Sequence, residues 1–315
     1  MRDFKRKILF FLLLALMLAG ASAVCSPDHI NLTKRVEGRD QCIAGILSET
    51  EDSVDVLILG DSLSIANISP MELWKEQGIT SYVCGQSGQR ATESYYLLKQ
   101  ALKTQTPRLV ILETNIFFRY EGVFSETENS LAEIVYYYFP VFRFHNIWKS
   151  FSGNKGTVLN GYYKGFQIHG ETAPYDCGNY MEKTEESEKL AALVRYRLNH
   201  ILKICAEQNI QVLLVSTPSP MNYSYQKHNA IQKFADHNSL PYIDFNLEGT
   251  GPDIDWTKET MDYGDHLNIY GAVKISGYLA SYLKEHYDLP DHRGEQAYHS
   301  WEEELERYLQ EAPVR

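Results

Sequence analysis

The run Val54-Asp55-Val56-Leu57-Ile58-Leu59, closed by Gly60-Asp61-Ser62-Leu63, constrains the fold more than any other stretch of the chain. A short, nearly unbroken apolar run leaves no face for water, as in a strand covered on both sides within a parallel sheet. Comparable runs recur at 81–84, 108–112, 211–216 and 241–244. Helical periodicity lies between and after them: a short helix over 70–75 opened by Ser69-Pro70, then helices over 90–103, 184–208, 225–238 and 268–285. Strands alternating with helices of this length predict a five-stranded parallel sheet with right-handed crossovers, an α/β/α sandwich. In the long helix Leu190, Leu193, Val194, Leu198, Ile201, Leu202 and Cys205 share one face. In the last, Ala272, Ile275, Leu279 and Leu283 point inward.

The alternation breaks between 116 and 183, where the chain is aromatic and glycine-dotted without a clean period, as in Tyr136-Tyr137-Tyr138-Phe139-Pro140. A connection this long is an insertion, either a cap over a site or an elaboration of the sheet edge. The ends read differently. Arg2, Lys5, Arg6 and Lys7 precede an apolar run from Ile8 to Gly20 and then Ala21-Ser22-Ala23. This is the pattern of a secretory signal, or of an uncleaved anchor at the lower limit of bilayer-spanning length. Residues 1–24 are therefore a signal or membrane anchor and 25–52 a polar tether. The fold occupies 53–288, and 289–315 forms an acidic helical tail on the surface. The basic flank stays in the cytoplasm, and the rest is extracytoplasmic.

With 315 residues, 44% of them hydrophobic, the chain can bury a large core. A formal net charge of −11 argues against nucleic acid, which needs clustered Lys and Arg. Of five cysteines, Cys84 and Cys205 fall on apolar faces, and Cys25 and Cys42 lie in irregular sequence where a disulfide between them is open. No cysteine pair has metal-site spacing and no nucleotide motif is present, so no metal or cofactor is expected.

Ser62 sits where the first strand ends, at the carboxyl edge where open α/β sheets gather their chemistry. More than two hundred residues later comes Asp265-His266-Leu267-Asn268. A serine early and a histidine late are a nucleophile and a base awaiting juxtaposition, because neutral imidazole can take the hydroxyl proton near physiological pH. The order Gly60-Asp61-Ser62-Leu63, Ser87-Gly88, Asn115 and Asp265-His266-Leu267-Asn268 resembles the SGNH/GDSL hydrolase superfamily, over about residues 54–286. The exported N-terminus, aromatic insertion and His-Leu-Asn-x-x-Gly ending are similar to bacterial surface proteins of the alginate-acetylation and lipoteichoic-acid D-alanylation type.

The resemblance implies a flavodoxin-like three-layer fold with Ser62 as nucleophile and His266 as general base. Ser62 N–H, Gly88 N–H and the Asn115 amide would form the oxyanion hole. Glu113-Thr114-Asn115 departs from the usual Gly-x-Asn-Asp, and Tyr263 stands where the orienting aspartate is usual. Asp262 is then the first choice for that role, Asp265 the second, and a Ser/His dyad the third. The implied function is an exported serine esterase or O-acyltransferase acting on acyl, chiefly acetyl, esters of surface carbohydrate. The other reading is a catalytically degenerate scaffold that binds glycan or partners a membrane-bound acyltransferase.

Overall fold

Five strands form one parallel sheet: β1 (Val56–Gly60), β2 (Ser81–Gly85), β3 (Leu109–Glu113), β6 (Gln211–Ser216) and β7 (Tyr242–Asp244), in the order β2-β1-β3-β6-β7. The computed structural model describes residues 2–25, 40–144 and 162–312. This strand order is that of a flavodoxin-like doubly wound sheet, and it reverses direction between β1 and β3. A crevice opens there at the carboxyl ends of the strands. The expected fold class is the observed one.

Alternate strand residues feed two cores. Leu57, Leu59, Val110, Leu112, Val212 and Leu214 face α5 (Ala91–Ala101) and α8 (Ala192–Glu207), whereas Val56, Ile58, Leu109, Ile111, Leu213 and Val215 face α10 (Ile269–His286). Helix α4 (Pro70–Gln77) packs on α10, and α9 (Tyr225–Asn238) follows β6. The short α3 (Ser62–Asn67) begins at the serine itself. The inward residues expected for the last helix are all buried.

Several boundaries differ from the sequence expectation, each for a local reason. The helix expected from 184 begins only at Ala192, because residues 184–191 run along α9. There the Asn229 side-chain amide donates to the Thr184 and Glu186 carbonyls, and the Glu188 N–H donates to the Gln226 carbonyl. Bonds that a helix would have made are thus satisfied by a neighbour. Leu193 faces outward, leaving Val194, Leu198, Ile201 and Cys205 as the buried row.

Of the expected tether, residues 26–39 lie outside the described residues. The remainder includes α2 (Gln41–Ile46), every residue of which is buried in the main core. The expected surface tail likewise joins that core through α11 (His299–Glu311). Its Trp301 ring lies 5.4 Å from Trp74 and its Tyr308 ring 5.4 Å from Tyr163, all four rings buried. Helix α2 is too short for its apolar residues to establish a period, and α11 buries only the side that carries Trp301 and Tyr308. Cys25 and Cys42 form no disulfide.

Within the insertion, 145–161 lie outside the described residues. The rest holds α6 (Val123–Tyr138), α7 (Pro140–Phe144) and a hairpin of β4 (Tyr162–Tyr163) and β5 (Phe166–Gln167). At the other end of the chain α1 (Arg2–Val24) is long and apolar enough to cross a membrane, and it packs against α7.

Candidate active site

Everything at the site follows from how β1 and β3 end. Gly60 closes β1 because a Cβ there would lie 2.7 Å from the Glu113 and Ser64 Cβ atoms, so no side chain fits between the strands. Asp61 follows in extended conformation as the N-cap of α3, its Oδ1 accepting from the Leu63 N–H at 3.0 Å. That cap turns the chain and leaves Ser62 at the first helical position. At the end of β2, Gly88 takes φ +64°, a left-handed conformation that glycine adopts without strain. Neither the Ser62 nor the Gly88 N–H has a partner among the described residues.

The histidine arrives on a separate loop. Tyr263 (φ 60°) and Gly264 (φ 83°) are both left-handed, and this tight reversal folds Asp262 back over His266. Asp262 Oδ1 accepts from the His266 N–H at 2.7 Å, and Oδ2 lies 2.6 Å from Nδ1. On the other side of the ring, Nε2 lies 2.7 Å from Ser62 Oγ. An unbroken chain Asp262–His266–Ser62 therefore spans residues separated by two hundred positions. Asp265, the second choice for the orienting acid, stands 3.6 Å from Nδ1, beyond hydrogen-bond distance. Its Oδ1 instead accepts from the Asn222 amide. Asp262, Asp265 and His266 are close enough to share a cation. Hydrogen bonds already occupy the ring Nδ1, both Asp262 oxygens and Asp265 Oδ1, so they read as a hydrogen-bonded set.

Under the serine lies a buried polar floor. Asn115 occupies a short 3₁₀ turn directly after β3 and donates from Nδ2 to Asp61 Oδ2 at 2.8 Å. The Arg119 guanidinium donates to the same Asp61 oxygen at 2.7 Å. Asn115 keeps its second amide hydrogen, and the buried Asp61 carboxylate fixes the plane in which it points. Glu113 is fully buried beneath. It accepts from the Tyr223 hydroxyl at 2.6 Å and the Asn115 N–H at 3.1 Å, with Thr217 Oγ1 at 3.4 Å. Burial, and then the nearby Asp61 carboxylate, push the Glu113 carboxyl up to about 8.

Sequence reasoning named Asn115 but missed its support by Asp61, Arg119 and Glu113, and also two residues that hold the histidine loop. Asn67, at the end of α3, accepts from the Leu267 N–H at 3.0 Å and donates to Thr217 Oγ1 at 3.0 Å, tying the loop to the ends of α3 and β6. His169 lies beside the pair. Its carbonyl accepts from the Ile269 N–H at 2.8 Å, and its half-buried ring is held below the usual histidine range by burial, with the His266 charge in the same direction. The insertion reaches the site here, since Ala173 and Tyr175 hydrogen-bond to Thr260, Tyr263 and Trp256 along the histidine loop.

No known protein-family model and no curated protein matches the chain. Among solved structures it is similar to a GDSL-like lipase from Bacteroides thetaiotaomicron, at 11% identity over 73% of this chain and 87% of that one, with a TM-score of 0.36. It is also similar to the lipase/acylhydrolase from Enterococcus faecalis, at 12% identity over 75% of this chain and 99% of that one, TM-score 0.38. These likenesses are too distant to speak for function.

Proposed function

We propose that this protein is a serine acylhydrolase of the SGNH/GDSL type that works outside the cytoplasm, releasing or transferring acyl groups of surface carbohydrate. The unbroken Asp262–His266–Ser62 chain carries the reading. His266 Nε2 takes the Ser62 proton as Oγ attacks the ester carbonyl, and Asp262 holds the proton on Nδ1 and stabilises the imidazolium. The carbonyl oxygen becomes an oxyanion facing the Ser62 and Gly88 N–H groups and the second Asn115 amide hydrogen. Collapse expels the alcohol, which leaves with the proton from His266, and Ser62 keeps the acyl group. Water then attacks to give the acid, or an acceptor hydroxyl to give a new ester, and Ser62 is regenerated.

The displaced aspartate and the altered Glu113-Thr114-Asn115 block favour the other reading, a degenerate scaffold that binds glycan or partners a membrane-bound acyltransferase. Against the first of these, the Asp262 carboxylate lies 2.6 Å from His266 Nδ1 and supports the catalytic reading. The carbohydrate ester and the transferase step rest on the aromatic insertion along the histidine loop and on the apolar α1.

Hydrolysis of p-nitrophenyl acetate by the full chain in detergent tests the reaction class. Ser62→Ala is expected to lower kcat by ~10³-fold or more. Equal rates in the two proteins would overturn the proposal. Mass shifts on acetylated oligosaccharides, with and without a free acceptor glycan, separate hydrolysis from transfer.

A further inference from the structure

Helix α6 is built inside out. Its buried residues are two acids: Glu126, 4% exposed, pairs with Arg90 at 3.3 Å, and Glu133, 6% exposed, pairs with Arg143 at 2.6 Å. Ser130 accepts from Arg197 of α8 on the same side. Outward it presents Phe124 at 83%, Leu131 at 60% and Tyr138 at 64% exposure, with Val135 between them. At about 100° per residue these four fall within roughly 60° of one another, and Glu126 and Glu133 lie about 180–200° from Phe124. The stripe is a designed face: the helix spends its ion pairs on its contacts with the protein and keeps its apolar side outward. None of the described residues covers it. An exposed apolar stripe on a helix whose opposite side holds its ion pairs marks a contact with something apolar.

What covers it is indicated by what adjoins it. Helix α6 runs directly into α7, and α7 packs against α1, the helix apolar enough to cross a membrane. The stripe and the α1 surface therefore belong to one continuous region.

We propose that the outer face of α6 is a membrane-docking surface, seated about 5–10 Å into the headgroup–acyl boundary of the bilayer that α1 crosses. Arg90, which caps α5 beside the Gly88 turn, binds Glu121, Ser125 and Glu126 at the start of α6. The start of α6 is thereby joined to the rim of the Ser62 crevice. The contact does not depend on the catalytic reading and is measured without it.

The test uses the full chain in phospholipid vesicles, as Phe124→Trp, Leu131→Trp and, on α10 on the opposite face of the sheet, Tyr278→Trp. After subtraction of the native tryptophans, the Phe124→Trp and Leu131→Trp signals are expected to shift to the blue. Lipids brominated close to the headgroup should quench them, and the Tyr278→Trp signal should respond to neither. Phe124→Trp emission that stays open to aqueous acrylamide and indifferent to brominated lipid overturns the proposal. So does emission shielded from acrylamide already in detergent and unquenched by brominated lipid, the signature of a face covered by protein, either a second copy or another part of this chain.

Discussion

The two halves of the candidate site are built on opposite terms. The Asp262–His266 half is a surface loop whose carboxylate and imidazole are aligned by a left-handed turn and a hydrogen bond to its own backbone, while Asn67, His169 and the insertion tie the loop to the fold. The Asp61–Asn115–Glu113 half is a buried polar floor at the switch point of the sheet, where all four carboxylate oxygens accept hydrogen bonds. The difference teaches where to look for chemistry and where for stability. Charge and proton positions can change on the loop side at little structural cost. On the floor any change leaves a desolvated group without its partner. Substitutions on the two sides should separate accordingly, with activity lost at constant stability on one and the two lost together on the other.

Asp262→Asn is the strongest test of the loop side. An amide facing Nδ1 donates where the carboxylate accepts, so the ring moves its proton to Nε2 and can no longer take one from Ser62. The expected loss in kcat is on the order of 10⁴-fold, with the melting temperature near that of the parent because the carboxylate is partly in solvent. A melting temperature falling in step with activity would erase the contrast between the halves.

Asn115→Ala probes the point where they meet. It removes the proposed third oxyanion donor and is expected to cost about 10²–10³-fold in kcat with little change in KM. It also leaves Asp61 Oδ2 with Arg119 alone, so here the melting temperature should drop too. An effect confined to KM would move Asn115 from oxyanion stabilisation to ground-state binding.

Glu113→Gln isolates the floor. The unfolded carboxyl titrates near its ordinary 4.5 and the folded one near 8, so between these values the native protein retains a proton that the unfolded chain has released. Stability from this group is complete below 4.5 and is lost as pH rises through 8, at up to about 1.4 kcal/mol per pH unit. The glutamine variant lacks this titration. Its urea-unfolding free energy should therefore gain on the parent steadily across that window, and parallel curves would place the Glu113 carboxyl in its ordinary range.

How much of this was legible in sequence follows the same division. Ser62 could be placed because a buried strand announces itself through β-branched residues and Gly-Asp-Ser follows it at once. Asp262 and His266 lie four residues apart, so local geometry alone admits their contact. Apart from Asn115, named as an oxyanion donor, the floor was opaque. Asn115 and Asp61 meet across 54 residues and Asn67 and Thr217 across 150, and each of these polar residues, read singly, is an ordinary turn or cap former. Helix α6 shows the other limit: periodicity reveals a stripe, and only packing shows which side of it faces the protein.

The smallest expected effect sharpens the loop side from within. Asp265 adjoins His266 in sequence and stands 3.6 Å from Nδ1, which gives it a field but no hydrogen bond, and Asn222 already claims its Oδ1. Asp265→Asn should therefore leave kcat within about threefold of the parent and stability within roughly 0.5–1 kcal/mol. If Asp265→Asn matched Asp262→Asn in severity, the two acids would act as one unit on His266. The loop would then have to rearrange on binding substrate, bringing Asp265 inside hydrogen-bond distance of Nδ1.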